Sequence, residues 1–176
     1  MSKGSSQPLA ISKLDQQQCA EQIHALQMLA YRQEADLLQI RDFPPLHRTV
    51  ADIRQQPTQY WGIWQHGQTP ILIAAIGLET IVDAANAAES ASRGERMLIA
   101  SLVVASNYQR QGLAKRLLRY SINRLPKTAW QVSTASQNQA ALQLYQSCGF
   151  VEERRFQRPI DGNQQLQLVQ LHRPAG

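Results

Sequence analysis

Cysteine is scarce in this chain of 176 residues, which holds only Cys19 and Cys148. Two thiols build neither a disulfide framework nor a four-ligand zinc site, and they fit a reducing compartment. His24, His47, His66 and His172 are widely separated and show no metal-ligand spacing, so no metal is expected. Long apolar runs are missing too. The longest, Ile71 to Ile76, falls far short of the ~20 residues that span a bilayer. Met1 to Pro8 lacks the apolar stretch of a secretory signal. A cytoplasmic protein without membrane contact is the expectation. No Gly-x-x-x-x-Gly-Lys-Ser/Thr and no Gly-x-Gly-x-x-Gly occurs, which removes the P-loop and leaves dinucleotide binding unsupported. His-Glu-x-x-His, Cys-x-x-Cys and Gly-x-Ser-x-Gly are absent as well.

Acidic residues thin out toward the C-terminus. Residues 1–100 sum to −2 and residues 101–176 to +7, within a net charge of +5. The C-terminal part is therefore suited to meeting an anion, whether nucleic acid or a phosphorylated small molecule.

The apolar pattern predicts a mixed α/β fold around one sheet. Residues 1–8 read as a tail and residues 9–174 as one domain. Leu9, Ile11 and Leu14 open as a short strand. Ile23, Leu26, Leu29, Ala30, Leu37 and Leu38 give a helical stretch from Asp15, a plausible N-cap, to about Ile40, with a break into two helices allowed at Arg32 to Asp36. Thr49 to Gln56 is a further short helix. Tyr60 to Gln65 and Ile71 to Leu78 read as a hairpin, Asp83 to Glu95 as an exposed loop or short helix, and Met97 to Val104 as a buried strand. A basic amphipathic helix over Gln111–Leu125, a strand at Trp130–Thr134 and a helix over Gln137–Ser147 follow. Two strands close the chain, joined by an Asp161-Gly162-Asn163 turn.

The strand-to-helix passage at Gln109 to Lys115 carries the chemistry. A chain entering a helix through small residues leaves backbone N–H groups unpaired, and these form an anion site with the helix dipole. Gly112 and Ala114 leave the backbone open to a phosphate, while Lys115, Arg116 and Arg119 add positive charge. Gln109-Arg110-Gln111-Gly112-Leu113-Ala114 resembles the Arg/Gln-x-x-Gly-x-Gly/Ala signature of the GNAT family of N-acetyltransferases. A second block, Asn138, Ala141, Leu144, Tyr145, Gly149 and Phe150, is similar to that family's Asn-x-x-Ala-x-x-Leu-Tyr-x-x-x-Gly-Phe pattern.

The resemblance implies a three-layer fold, with a mostly antiparallel sheet splayed at a cofactor slot and helices on both faces. It implies transfer of an acetyl group from acetyl-CoA to a primary amine, carried by a small molecule or a peptide. Gln109, Arg110, Gln111, Gly112, Leu113, Ala114 and Lys115 would hold the pyrophosphate. Leu102, Val103 and Val104 would pair with the pantetheine amides and polarise the acetyl carbonyl. Asn138 would touch the pantetheine arm, and Tyr145 would give a proton to the departing thiolate. Family members are often dimers, so a homodimer is one arrangement it implies.

Two positions depart from the pattern. Ser106 stands where a proline is frequent. Leu98 stands where some members carry a glutamate base; Glu79, at the end of the preceding strand, and Glu95 are the nearest carboxylates, with Glu79 the candidate base and deprotonation through water the alternative. Glu34, Asp36 and Asp42 form an acidic group suited to a cationic amine. Two other readings stay open: an acyl-CoA-binding sensor without activity, and a basic nucleic-acid-binding module. No helix-turn-helix, zinc-finger or RRM signature supports the second.

Overall fold

A computed structural model describes residues 9–82, 95–160 and 164–176. The tail 1–8, most of the expected loop at 83–95 and the Asp161-Gly162-Asn163 turn lie outside the described residues. Strand β1 (Ile11–Leu14) runs into Asp15, whose carboxylate caps helix α1 (Gln16–Leu38) by accepting from the backbone N–H of Gln17 and Gln18. α1 is one helix where two were allowed. The polar stretch from Arg32 to Asp36 does not break it: Gln33 donates a hydrogen bond to Ser106, Glu34 accepts one from Asn138, and Ala35 beside them is buried. Ile23 and Leu26 meet the core as expected, Ala20 joins them, and Leu29 and Leu37 are 57% and 55% exposed. Gln27, fully buried, takes a place on the inner face. Helix α2 (Val50–Gln55) follows a single 3-10 turn at Pro44–His47, and Thr49 with Asp52 forms a reciprocal capping box at its start.

Strands β2 (Gln59–Gln65), β3 (Ile71–Val82), β4 (Glu95–Val104), β5 (Ala129–Ala135), β6 (Val151–Pro159) and β7 (Gln165–Arg173) complete a seven-stranded sheet of order β1-β2-β3-β4-β5-β7-β6. Every pair is antiparallel except β4 with β5. That parallel pair needs a crossover, which helix α3 (Leu113–Arg124) supplies. Helix α4 (Gln139–Gln146) joins β5 to β6. Both α3 and α4 are shorter at their N-terminal ends than the sequence pattern predicts. Gln111 and Gly112 belong to the turn before α3, and Gln137 and Asn138 to the turn before α4. Leu125, expected on the core face of α3, is 37% exposed just past its end.

The sheet opens in its middle. β4 and β5 pair only where Arg96, Met97 and Leu98 meet Ala129, Trp130 and Gln131. Beyond that point both strands continue without each other. The cause lies on the other side of β4. Gly77 pairs with Ser101 and Leu78 with Ile99, so Ala100 is an extra residue, and such a bulge bends the strand and turns its faces. Met97 and Ile99 pack with one cluster, as do Leu102 and Val104 past the bulge. Val103 belongs to the opposite cluster, with Ile23, Leu26 and Tyr60. One face of the sheet thus receives α1 and α2, and the other receives Leu113, Leu117, Leu118 and Ile122 of α3.

Gly77 makes the bulge possible. A Cβ there would stand 2.8 Å from Ser101 Oγ, 2.8 Å from Tyr60 Cε1 and 3.0 Å from Thr58 Cγ2. Gly77→Ala is expected to cost about 1–3 kcal/mol, as overpacking in a closed interior does. In a domain of this size each 1 kcal/mol lowers Tm by roughly 2–4 °C, which a thermal melt measures directly.

Candidate active site

Among the four α-helices of the described residues, α3 starts differently. Asp15, Thr49 and Asn138 cap α1, α2 and α4 with side-chain oxygens, whereas α3 begins at Gly112 with no side-chain cap and no acidic residue in its first turn. Two left-handed residues, Arg110 (φ 61°) and Gly112 (φ 78°), turn the chain into it. Among the described residues, the backbone N–H groups from Arg110 to Lys115 donate to no protein acceptor. Unpaired donors at a helix N-terminus attract anions. Lys115 and Arg116 in the first turn oppose the helix dipole, and neither pairs with a carboxylate among the described residues. An anionic ligand would reverse that unfavourable balance. A Cβ built on Gly112 meets nothing within 4 Å, so the backbone here lies open. These observations fit a pyrophosphate group at Gln109 to Lys115.

The loop before α3 is pinned to α1. Gln109 Nε2 donates to Gln33 Oε1 (2.9 Å) and to Val104 O (3.3 Å), and Gln33 Nε2 donates to Ser106 Oγ. Leu102, Val103 and Val104 lie on the stretch of β4 that has left β5. Their backbone faces β3 on one edge and no strand on the other. One turn of α1, at Gln33 and Glu34, therefore bridges the separated ends. Gln33 holds the loop after β4, and Glu34 Oε1 accepts from Asn138 Nδ2 (3.3 Å), just after β5. Asn138 has a second duty, since its Oδ1 caps α4 by accepting from Ala141 N (3.1 Å).

Tyr145 is 6% exposed, its ring 5.5 Å from that of Phe150. No described group hydrogen-bonds its hydroxyl. Burial chiefly, and then the Glu34 charge, push that hydroxyl above the ordinary phenol range. Burial also raises the Glu34 carboxyl, with the Asn138 hydrogen bond opposing it. Behind Glu34 on the same helix, burial pushes the Tyr31 hydroxyl up to about 12, against the lowering influence of Arg48. Arg48 Nη2 in turn donates to Tyr60 OH (3.1 Å). One turn earlier still, Gln27 Nε2 donates to Ser101 Oγ (3.1 Å), next to the bulge.

The three acidic residues expected to act together are separated. Glu34 faces inward, Asp36 is exposed, and Asp42 pairs with His47 at the surface. Glu79 sits mid-strand in β3, not at its end. It lies opposite Leu98, where β4 and β5 are still joined, and it accepts a hydrogen bond from Thr58. The sequence reading passed over Gln27, Tyr31, Gln33 and Arg48. Two of them carried a signal with Glu34: Gln27, Tyr31 and Glu34 are spaced to fall on one helical face, a polar stripe beside Ile23 and Leu26.

Residues 20–150 match the family model described as the acetyltransferase (GNAT) family. No curated protein matches the chain. Solved structures do. The ribosomal-protein-S18-alanine N-acetyltransferase of Escherichia coli is 19% identical, with 96% of this chain and 95% of that one covered and a TM-score of 0.69. NAA60 of Arabidopsis thaliana, solved with a bisubstrate analogue, is 15% identical over 94% and 98%, with a TM-score of 0.70. yncA of Salmonella typhimurium, solved with acetyl-CoA, is 16% identical over 97% and 95%, with a TM-score of 0.62. The separated β4 and β5, the open helix start at Gly112 and a family match across most of the chain place this protein in the GNAT acetyltransferase family.

Proposed function

We propose that the chain moves an acetyl group from acetyl-CoA to a primary amine by direct attack in a ternary complex. The run of unpaired N–H groups at Arg110 to Lys115, beside the parted strands, carries this reading. These amides, with Lys115, hold the pyrophosphate, and the open edge at Leu102, Val103 and Val104 pairs with the pantetheine amides. The thioester supplies an activated acetyl carbonyl.

The remaining steps belong to the protein. A backbone N–H at Val103 or Val104 hydrogen-bonds the carbonyl oxygen and stabilises the negative charge that develops there. Tyr145, kept protonated by its burial, donates to the sulfur as it departs. Asn138 holds Glu34 beside this point and caps the helix that carries Tyr145. The acceptor enters from a cavity of about 150 Å³ lined by Leu38, Ile40, Ser136, Gln137, Ile160 and Gln167, next to Asn138 in the chain. That lining is aliphatic and amide-bearing, which suits an uncharged acceptor body such as a peptide or small molecule with one terminal amine.

Thermal shift tests the central claim. Acetyl-CoA at about 100 times its Kd is expected to stabilise the fold by about 2.7 kcal/mol, raising Tm by roughly 5–10 °C. No shift at saturating acetyl-CoA would overturn the reading. A shift produced by DNA and not by acetyl-CoA would move the assignment to nucleic-acid binding. Thiol release on addition of an amine separates a transferase from a sensor.

A further inference from the structure

A half-buried carboxylate without a cation is a group waiting for one. Glu34 is such a group: among the described residues no lysine, arginine or histidine pairs with it. Among the described residues its one hydrogen-bonding partner is the neutral Asn138 amide at 3.3 Å. It stands on the turn of α1 that spans the ends of β4 and β5, its neighbour Gln33 fixed to Gln109 on one side and its own Oε1 fixed to Asn138 on the other. The titratable groups facing it are Tyr31 of its own helix and Tyr145 of α4, whose hydroxyls both feel its charge. Arg48, from the segment before α2, lies beyond Tyr31, and Cys148 lies beyond Tyr145.

We propose that Glu34 is the general base of the acetyl transfer, taking the proton from the acceptor ammonium at the parted ends of β4 and β5. This rests on the transferase reading above and replaces Glu79 in that role. Glu79 is held by Thr58 and lies at the joined end of the slot.

The acceptor arrives as an ammonium, and the Glu34 carboxylate removes one N–H proton and later releases it to water. The freed nitrogen pair forms the C–N bond while the C–S bond breaks, its electron pair staying on sulfur. Tyr145 passes its proton to that sulfur and regains one from the nitrogen as the amide forms. The burial that raises the Glu34 carboxyl brings its basicity nearer to that of the amine it must deprotonate.

The test uses two small probes, methylamine and hydroxylamine. At pH 7 methylamine is almost wholly ammonium, whereas hydroxylamine is largely unprotonated and needs no base. Glu34→Gln keeps the acceptor oxygen for Asn138 and removes only the charge. The variant is expected to bind acetyl-CoA as the wild type does, to lose about 100-fold in kcat/KM for methylamine at pH 7, and to lose less than about threefold with hydroxylamine, the scale of the cost without a proton-transfer role. The methylamine deficit should shrink as pH rises toward 10.

Equal losses with both amines, an unchanged pH profile, or the same selective loss in Glu79→Gln would overturn the assignment. So would a wild type that binds acetyl-CoA but releases thiol with neither amine. A wild type that binds no acetyl-CoA would instead overturn the transferase reading itself. Stability offers a second readout. A carboxyl raised by burial favours the folded state while protonated and loses that contribution as pH climbs through its folded pKa. Glu34→Gln should therefore melt higher than the wild type at pH 8, with the difference closing at pH 4; a lower melt at pH 8 would count against a carboxylate held uncompensated.

Discussion

Gly112→Val is expected to leave a folded protein whose affinity for acetyl-CoA has fallen about 100-fold. That is roughly 2.7 kcal/mol, the size of one or two charge-assisted hydrogen bonds. Two effects combine. The residue sits at φ 78°, where an L side chain is strained, at a cost of about 1–2 kcal/mol. The added side chain also projects into open space at the helix start, where the donors from Arg110 to Lys115 are exposed. Strain alone would lower Tm and spare binding, so Gly149→Ala is the control. Gly149 has φ 86° and a built Cβ there meets only the Arg173 side chain, at 3.5 Å. The Gly149 variant should lose a few degrees of Tm and keep its affinity. Equal affinity in the two variants, isothermal calorimetry being the measurement, would move the pyrophosphate away from Gly112.

The contrast between the two glycines shows what was legible in the sequence. Both stand at helix ends in spaced motifs, and both adopt the left-handed conformation that glycine enters without steric cost. The order of strands and helices was legible for the same reason, since each element announces itself by local periodicity. The uncapped helix start at residues 109–114 was legible because it is made of consecutive residues. What escaped depends on pairing between distant segments. The bulge at Ala100 exists only because Gly77 and Ser101 meet across two strands, and no local pattern in Met97 to Val104 reveals it.

Glu34 shows the same limit from the other direction. In sequence it sits beside Asp36 and near Asp42, and neighbouring acids suggest a shared task. Helix geometry separates them: residues 34 and 36 are 200° apart around an axis with 3.6 residues per turn. Only Glu34 turns toward Asn138, a residue 104 positions away. The polar stripe of Gln27, Tyr31 and Glu34 thus has a structural use at one end and a chemical use at the other. Gln27 secures Ser101 beside the bulge that opens the slot, and Glu34 stands at the slot's open end.

Tyr145→Phe is expected to lower kcat by about 100-fold or more, the range seen when a positioned proton donor is removed. The change keeps the ring against Phe150 and deletes one oxygen. No described group hydrogen-bonds that oxygen, so its loss orphans no partner, and relieving a buried polar atom is neutral or mildly favourable to folding. Tm should equal or slightly exceed that of the wild type, and the Kd for acetyl-CoA should stay within about threefold, since the anion site lies on other residues. Because burial and the Glu34 charge hold the phenol above its ordinary range, the wild-type rate should show no alkaline fall from its ionisation up to about pH 10. A residue that only fills space gives the opposite result, since phenylalanine fills nearly the same space. An unchanged kcat in Tyr145→Phe would leave the ring as packing and return the thiolate's proton to solvent.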